Sequence, residues 1–355
     1  MEYKKVLEDL VETVMAEGAS DLHLGEGRYP MIRVSGFLVP LVKKEILTHE
    51  MLQAFLDELL IPANKKIFDN TRDIDFAYSF QNKNSLRFRG NAFVQQGKIG
   101  IALRVISSNI KTVEELGLPP ILKEFARKQQ GFFLVVGPTG HGKSTTLASL
   151  IELINTERLE HIITIEDPIE YIFTPKKSVI EQREVRQDTE SFPSALKGVF
   201  RQDVDVLMVG EMREIETMST AVTAAETGHL VFSTLHTNTA AQSIDRIIDS
   251  FPAEQQSQIR LQLAGSLAGI FSQRLVPRIS GGLVPAFELL ISNNAVANLI
   301  REKRTHEINT VIETGFQDGM IDMNRSLAGL VQAGEITVEN AYAYSTNPRT
   351  LEKLI

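Results

Sequence analysis

The stretch GFFLVVGPTGHGKS, from Gly131 to Ser144, constrains the fold of this chain more than any other. An apolar run with strand character feeds a glycine-rich loop, and the loop opens the helical stretch KSTTLASLIELI. Gly137, Gly142, Lys143 and Ser144 satisfy G-x-x-x-x-G-K-[ST], in the strand–loop–helix setting that gives this pattern its meaning. Glycines let successive backbone N–H groups turn toward phosphate oxygens, and the helix start adds partial positive charge. Gly137, Pro138, Thr139, Gly140, His141, Gly142, Lys143, Ser144 and Thr145 are therefore the expected cradle for ATP and Mg²⁺. Lys143 would neutralise the β and γ oxygens, and the Ser144 hydroxyl would ligate the metal. His141 is the odd member: either a passenger that lends only its backbone N–H, or a pH-sensitive contact.

A strand as apolar as GFFLVV needs neighbours on both faces, and three more runs of that kind follow: HIITI (161–165), VDVLMV (204–209) and HLVFST (229–234). Helical stretches separate them, which predicts a largely parallel sheet with its chemistry at the carboxyl ends of the strands. TIEDPIEY places Glu166 and Asp167 at one such end, where a carboxylate can orient an attacking water. VDVLMVGEMRE resembles a Walker B element, but Gly210 stands where an aspartate is usual and Glu211 follows. Glu211 would then act on Mg²⁺ through water, or on the nucleophile. Arg213 reads equally as a salt-bridge partner or a catalytic group. His236 falls just past the fourth strand, at the expected phosphate end, and His229 at that strand's start. Arg87 and Arg89 alternate with apolar residues in SLRFRGNAF, and Arg104 recurs in IALRVI. They are either solvated sheet charges or arginines that reach ATP from another domain.

The 355 residues carry a formal net charge of -8, which argues against a general nucleic-acid coat and so against a DNA-translocating motor. The absence of cysteine excludes disulfides and cysteine-ligated zinc. The N-terminal stretch MEYKKVLEDLVETVMAEGASDLHL reads as an amphipathic helix through Val6, Leu10 and Val14, and not as a signal peptide. No run of eighteen apolar residues predicts a transmembrane helix. The first hundred residues read as a sheet of about five strands with one or two helices. SDLHLG, PMIRVSGFLVPL, DIDFAYSF, SLRFRGNAFVQQ and IGIALRVI supply the strands, and THEMLQAFLDELL a helix capped by Thr48. SSNIKTVEELGLPP then marks a boundary or hinge. The expected division is 1–110, a linker at 111–118, and 119–355, with a helical region at the C-terminus.

ASDLHL, GPTGHGKSTT, TIEDPIEY, QREV, VGEMR, AAETGHLVFSTLHT and the FP of DSFPAEQ, in that order, resemble the type II/type IV secretion ATPases over about residues 15 to 345. The resemblance implies a PAS-like α+β N-terminal domain joined to a RecA-like P-loop domain, an α/β chain that hydrolyses ATP. It matches Glu166 to the family's general base and Glu211 to its atypical Walker B acid. His236 and His229 match the family's histidine box, and Arg87, Arg89 and Arg104 the N-terminal arginines that approach nucleotide. It further implies a homohexamer at the cytoplasmic face of the inner membrane, working with a pilus platform protein and paralogous pilus ATPases. The short N-terminal region and the lack of cysteine look like the branch that retracts type IV pili in twitching motility. AVANLIRE (295–302) resembles an element of that branch, with Ala297 where arginine is usual, so both principal and accessory retraction roles stay open. A nucleotide-dependent assembly scaffold, with hydrolysis incidental, is the alternative of a different class.

Overall fold

Alternating apolar residues give the early strands one face to bury, whereas the later apolar runs demand cover on both. The structure, a computed structural model, meets these demands in two separate units and describes residues 2–34, 36–80, 86–106 and 109–355. The first unit comprises Met1–Asn109 with Asp167–Ile172 and Glu184–Asp188, and the second comprises the remainder. The excursion of two short segments into the first unit departs from the contiguous division expected above.

The first unit runs α1 (Glu2–Ala16), β1 (Asp21–Gly25), β2 (Met31–Val34), β3 (Phe37–Pro40), α2 (His49–Leu59), α3 (Pro62–Thr71), β4 (Asp73–Phe80), β5 (Leu86–Gln95) and β6 (Lys98–Ile106). Its six strands form one antiparallel sheet in the order β3-β2-β1-β6-β5-β4. Leu10 and Val14 of α1 and Phe55 and Leu56 of α2 are buried in one core with Leu22, Phe88 and Leu103 of the sheet. Thr48 caps α2 as expected, accepting from the Met51 N–H at 3.3 Å. The sixth strand arises because PMIRVSGFLVPL is a hairpin, β2 pairing with β3 around a left-handed Gly36. Alternation continues across that turn, so apolar pattern alone does not reveal it. Helix α3 was not foreseen either, because only Asn64 and Phe68 of its residues are buried and its apolar period is weak.

Of the expected hinge, Ser107 and Ser108 lie outside the described residues. From Ile110 onward the stretch belongs to the second unit, where Val113 and Leu118 are buried. Thr112 and Glu115 cap one another, N–H to side chain, at 2.8 and 3.2 Å.

The second unit continues with α4 (Leu122–Ala126), β7 (Gly131–Val136), α5 (Lys143–Glu157), β8 (His161–Glu166), β9 (Val179–Glu184), α6 (Phe192–Val199), β10 (Val206–Val209), α7 (Ile215–Glu226), β11 (Leu230–Leu235), α8 (Ala240–Asp249) and α9 (Ala253–Ser266). It closes with β12 (Leu267–Pro277), β13 (Leu283–Ile291), α10 (Asn294–Arg301), α11 (Ile308–Thr314), α12 (Met323–Gln332), α13 (Val338–Tyr344) and α14 (Pro348–Glu352). The sheet order is β13-β12-β7-β11-β10-β8-β9. From β12 through β8 all pairings are parallel, and β13 returns antiparallel. Every residue of β7 and of β11 is buried, so both faces of these strands are covered. The largely parallel sheet is as expected; β9, β12 and β13 extend it beyond the four strands read from the sequence, and helices α10 to α14 follow β13. Helix α9 passes into β12 between Ser266 and Leu267 with no intervening loop, Gly265 lying in the last helical turn and Gly269 early in the strand.

Within β13, Glu288 is buried and accepts from the Ala240 N–H, the first residue of α8, at 2.8 Å. Burial, with the Asp322 carboxylate adding to it, pushes the Glu288 carboxyl from about 4.5 up to about 7. The folded chain therefore holds a proton that the unfolded chain has released, and stability falls as pH rises through that window before levelling off. Glu288→Gln keeps an acceptor for Ala240 and removes the charge. We expect this variant to exceed the parent in urea denaturation at pH 8 by on the order of 3 kcal/mol, with the gain shrinking toward pH 4.5. An equal difference at both pH values would rule out the buried charge as its cause.

Candidate nucleotide site

β7 ends at Val136, paired with Leu235 of β11 on one side and Ser272 of β12 on the other. The loop that follows must pass between those two neighbours. Gly137 takes φ +145°, and a Cβ there would lie 2.3 Å from the Gln273 carbonyl oxygen, so only glycine fits. Gly140 and Gly142 are also left-handed, at φ +81° and +80°. Gly142 precedes α5, and no side chain caps that helix start. A glycine cap keeps a capping side chain away from the helix start, which suits an anion-binding helix N-terminus. Lys143 is buried, and its ammonium donates to the carbonyls of Gly137 and Pro138, both at 2.9 Å. Ser144 is exposed beside it and Thr145 half-buried.

The parallel strands bring the other candidates to the same end. His236, directly after β11, has Nδ1 at 3.3 Å from Thr139 Oγ1 and 3.5 Å from Lys143 Nζ. Its Nε2 lies 3.4 Å from Glu211 Oε2. Lysine offers only donors, so Nδ1 is the acceptor and the ring proton sits on Nε2, facing the carboxylate. Glu211 also pairs with Arg213 at 2.9 Å, which makes Arg213 a salt-bridge partner here. Gly210 lets β10 close on β8: its N–H donates to Ile165 O at 2.8 Å, and a Cβ would lie 3.4 Å from Glu166 Cα. Glu166 is buried, and its Oε1 accepts from Thr164 Oγ1 at 2.7 Å and Gln182 Nε2 at 3.3 Å.

Within the second unit, His229 is not brought to this site. His229 stands before Leu230, which pairs with Gly131 at the start of β7, a strand's length from the loop. There its Nδ1 meets Ala224 O at 2.9 Å and its ring packs edge-on against Phe200, so it finishes α7 and takes no place at the phosphate loop. Arg87, Arg89 and Arg104 belong to the first unit, where each has a carboxylate partner. Arg87 pairs with Glu184 and donates to Ile169 O at 3.1 Å, Arg89 pairs with Glu170, and Arg104 with Asp21. Burial works to raise Asp21, but hydrogen bonds from Ser20 and Arg104 together hold it below the ordinary carboxylate value. Burial raises Glu184, and the Arg87 guanidinium only partly opposes it.

Three positioning side chains carried no assigned role in the sequence reading. Thr164 and Gln182 orient Glu166, and buried Gln273 holds the loop: its amide donates to His141 O at 2.9 Å and its Oε1 accepts from Thr146 Oγ1 at 2.6 Å. The available signal for Gln273 was a polar Ser-Gln pair inside the apolar run of β12. His141 itself lies against β12, its Nδ1 accepting from the Leu275 N–H at 2.8 Å.

The family model of the type II/IV secretion system protein matches residues 2–322. The type IV pilus retraction ATPase PilT of Pseudomonas aeruginosa is 45% identical over 325 residues, covering 92% of this chain and 94% of its own. A twitching motility protein of Neisseria gonorrhoeae is 44% identical over 323 residues, 91% of this chain and 86% of its own. The crystal structure of the pilus retraction motor PilT with bound ADP superposes with a TM-score of 0.90 at 44% identity, covering 97% and 98% of the two chains.

Gly137→Ala tests the cradle. The added methyl group would force the loop off the Gln273 carbonyl, and we expect ADP binding, followed by fluorescence titration, to weaken by at least about tenfold, the effect of roughly 1.4 kcal/mol. Unchanged affinity would mean that the close backbone approach is not needed for binding.

Proposed function

The chain belongs to the type II/IV secretion system protein family, and we propose that it is an ATPase motor that couples ATP hydrolysis to type IV pilus retraction. The observation that carries this reading is the linked set Lys143–His236–Glu211 beside buried Glu166, at the strand ends of a chain similar throughout to a retraction ATPase. Incoming β and γ oxygens would replace the two loop carbonyls on Lys143, exchanging neutral acceptors for anionic ones that an ammonium binds more strongly. Glu166, fixed by Thr164 and Gln182, would orient the attacking water and accept its proton. His236 would report γ-phosphate occupancy to Glu211, because it touches both the loop and that carboxylate.

Mg²⁺ would be held by the exposed Ser144 hydroxyl and, through water, by Glu211, where it neutralises charge developing on the phosphates. Such an ion keeps most of its shell as phosphate oxygens and waters, so this modest donor set fits it. In this reading the protein acts as a homohexamer on a platform protein, peripheral to the cytoplasmic face of the inner membrane. Among the described residues no helix is long and apolar enough to cross a membrane.

Lys143→Ala should abolish ADP binding and turnover together. Glu166→Gln should retain binding while steady-state phosphate release falls by roughly 10²- to 10⁴-fold. A deletion strain should be hyperpiliated and unable to twitch. Retraction unaffected by Glu166→Gln would favour the scaffold reading, and DNA-stimulated turnover would favour a nucleic-acid motor.

A further inference from the structure

β12 outruns the strand it pairs with. Its parallel ladder with β7 ends at Ser272↔Val136, yet β12 continues to Pro277. Past that point the phosphate loop takes the place of β7. The Gly137 backbone presses on Gln273 O, the Gln273 amide donates to His141 O, and the Leu275 N–H donates to His141 Nδ1 at 2.8 Å. An imidazole thus supplies the acceptor that the missing strand would have provided. The ring is also walled: Tyr344, in α13, meets it edge-on with centroids 6.4 Å apart, and Arg274 anchors Tyr344 by donating to its carbonyl at 2.7 Å.

Resting on the reading of this loop as a nucleotide cradle, we propose that His141 is a positioning residue whose side chain, through Nδ1, pins the crown of the phosphate loop to β12 and holds it in the shape that binds nucleotide. The bond requires the ring tautomer protonated on Nε2, because a backbone N–H can only donate. The side chain acts on the loop through the Nδ1 that is committed to Leu275.

The groups that face the ring are Arg274 of β12, Lys143 of α5 and the Tyr344 ring of α13. Burial first, then the positive charges of Arg274 and Lys143, hold His141 below the ordinary histidine value of about 6.5. The pin is therefore intact at neutral pH. Its contribution is full above that ordinary value and is lost as pH falls below it toward the folded value.

The test compares His141→Ala, His141→Ser and His141→Asn in the full chain. Asparagine places Oδ1 near the position of Nδ1 and keeps an acceptor, whereas alanine has none and the serine hydroxyl is too short to reach. Two readouts are used: titration with a fluorescent ADP, and hydrogen exchange of peptides covering 137–144 and 267–277. We expect alanine and serine to weaken ADP by roughly tenfold and to deprotect both peptides, as the loss of a hydrogen bond to a half-buried amide predicts. Asparagine should recover most of both. Below pH 6.5 the parent should lose affinity relative to His141→Asn, a ratio in which the nucleotide's own protonation cancels. Equal affinity and exchange in all three variants would overturn the proposal, as would a loss of affinity with β12 exchange unchanged. If the parent binds no ADP, the nucleotide reading fails, and the exchange of the two peptides still decides whether His141 pins the loop.

Discussion

The placement of β7 between β11 and β12 is the constraint from which the site follows. A strand buried on both faces has its neighbours dictated by backbone pairing, and those neighbours bound the loop that leaves it. On one side the loop rests against β12 so closely that Gly137 cannot carry a side chain. On the other, β11 delivers His236 to Thr139 and Lys143. The turn is thus held by a wall as well as by its own glycines.

The parallel register then spreads chemistry along one edge of the sheet. Val209 pairs with Ile165 and Ser233 with Val209, so the residues just beyond those strands converge. Gly210 accounts for the offset acid of the third strand: its small size permits close approach to Glu166, and the carboxylate at Glu211 then meets His236. Two glutamates come to serve two environments, one buried and held by Thr164 and Gln182, the other half-open and shared between Arg213 and His236.

The four apolar strands, the loop and the strand-end acids were legible because each is a local pattern with a local cause. What escaped reading lacked such a cause. β12 follows α9 directly, with no intervening loop to mark where the helix ends and the strand begins. Gln182 and Gln273 matter through partners 16 and 132 residues away, which no spacing rule announces. His229 lies in a stretch that matches its family as well as His236 does, yet seven positions along a strand carry the two to opposite ends of the sheet. The arginines alternated correctly on β5, but their carboxylate partners Glu170 and Glu184 come from segments that join the first unit only in three dimensions.

The sequence by itself determined that the chain folds around a phosphate loop in a largely parallel sheet, because glycines, a lysine and both-face apolar strands leave few other solutions. Only the tertiary structure decided which polar side chains share that loop. Hydrogen bonds such as Leu275 to His141 and Gln273 to Thr146 join residues more than a hundred positions apart, and their partners are chosen by where β12 ends relative to β7. That relation belongs to strand pairing and helix packing as a whole, and no single stretch of residues contains it.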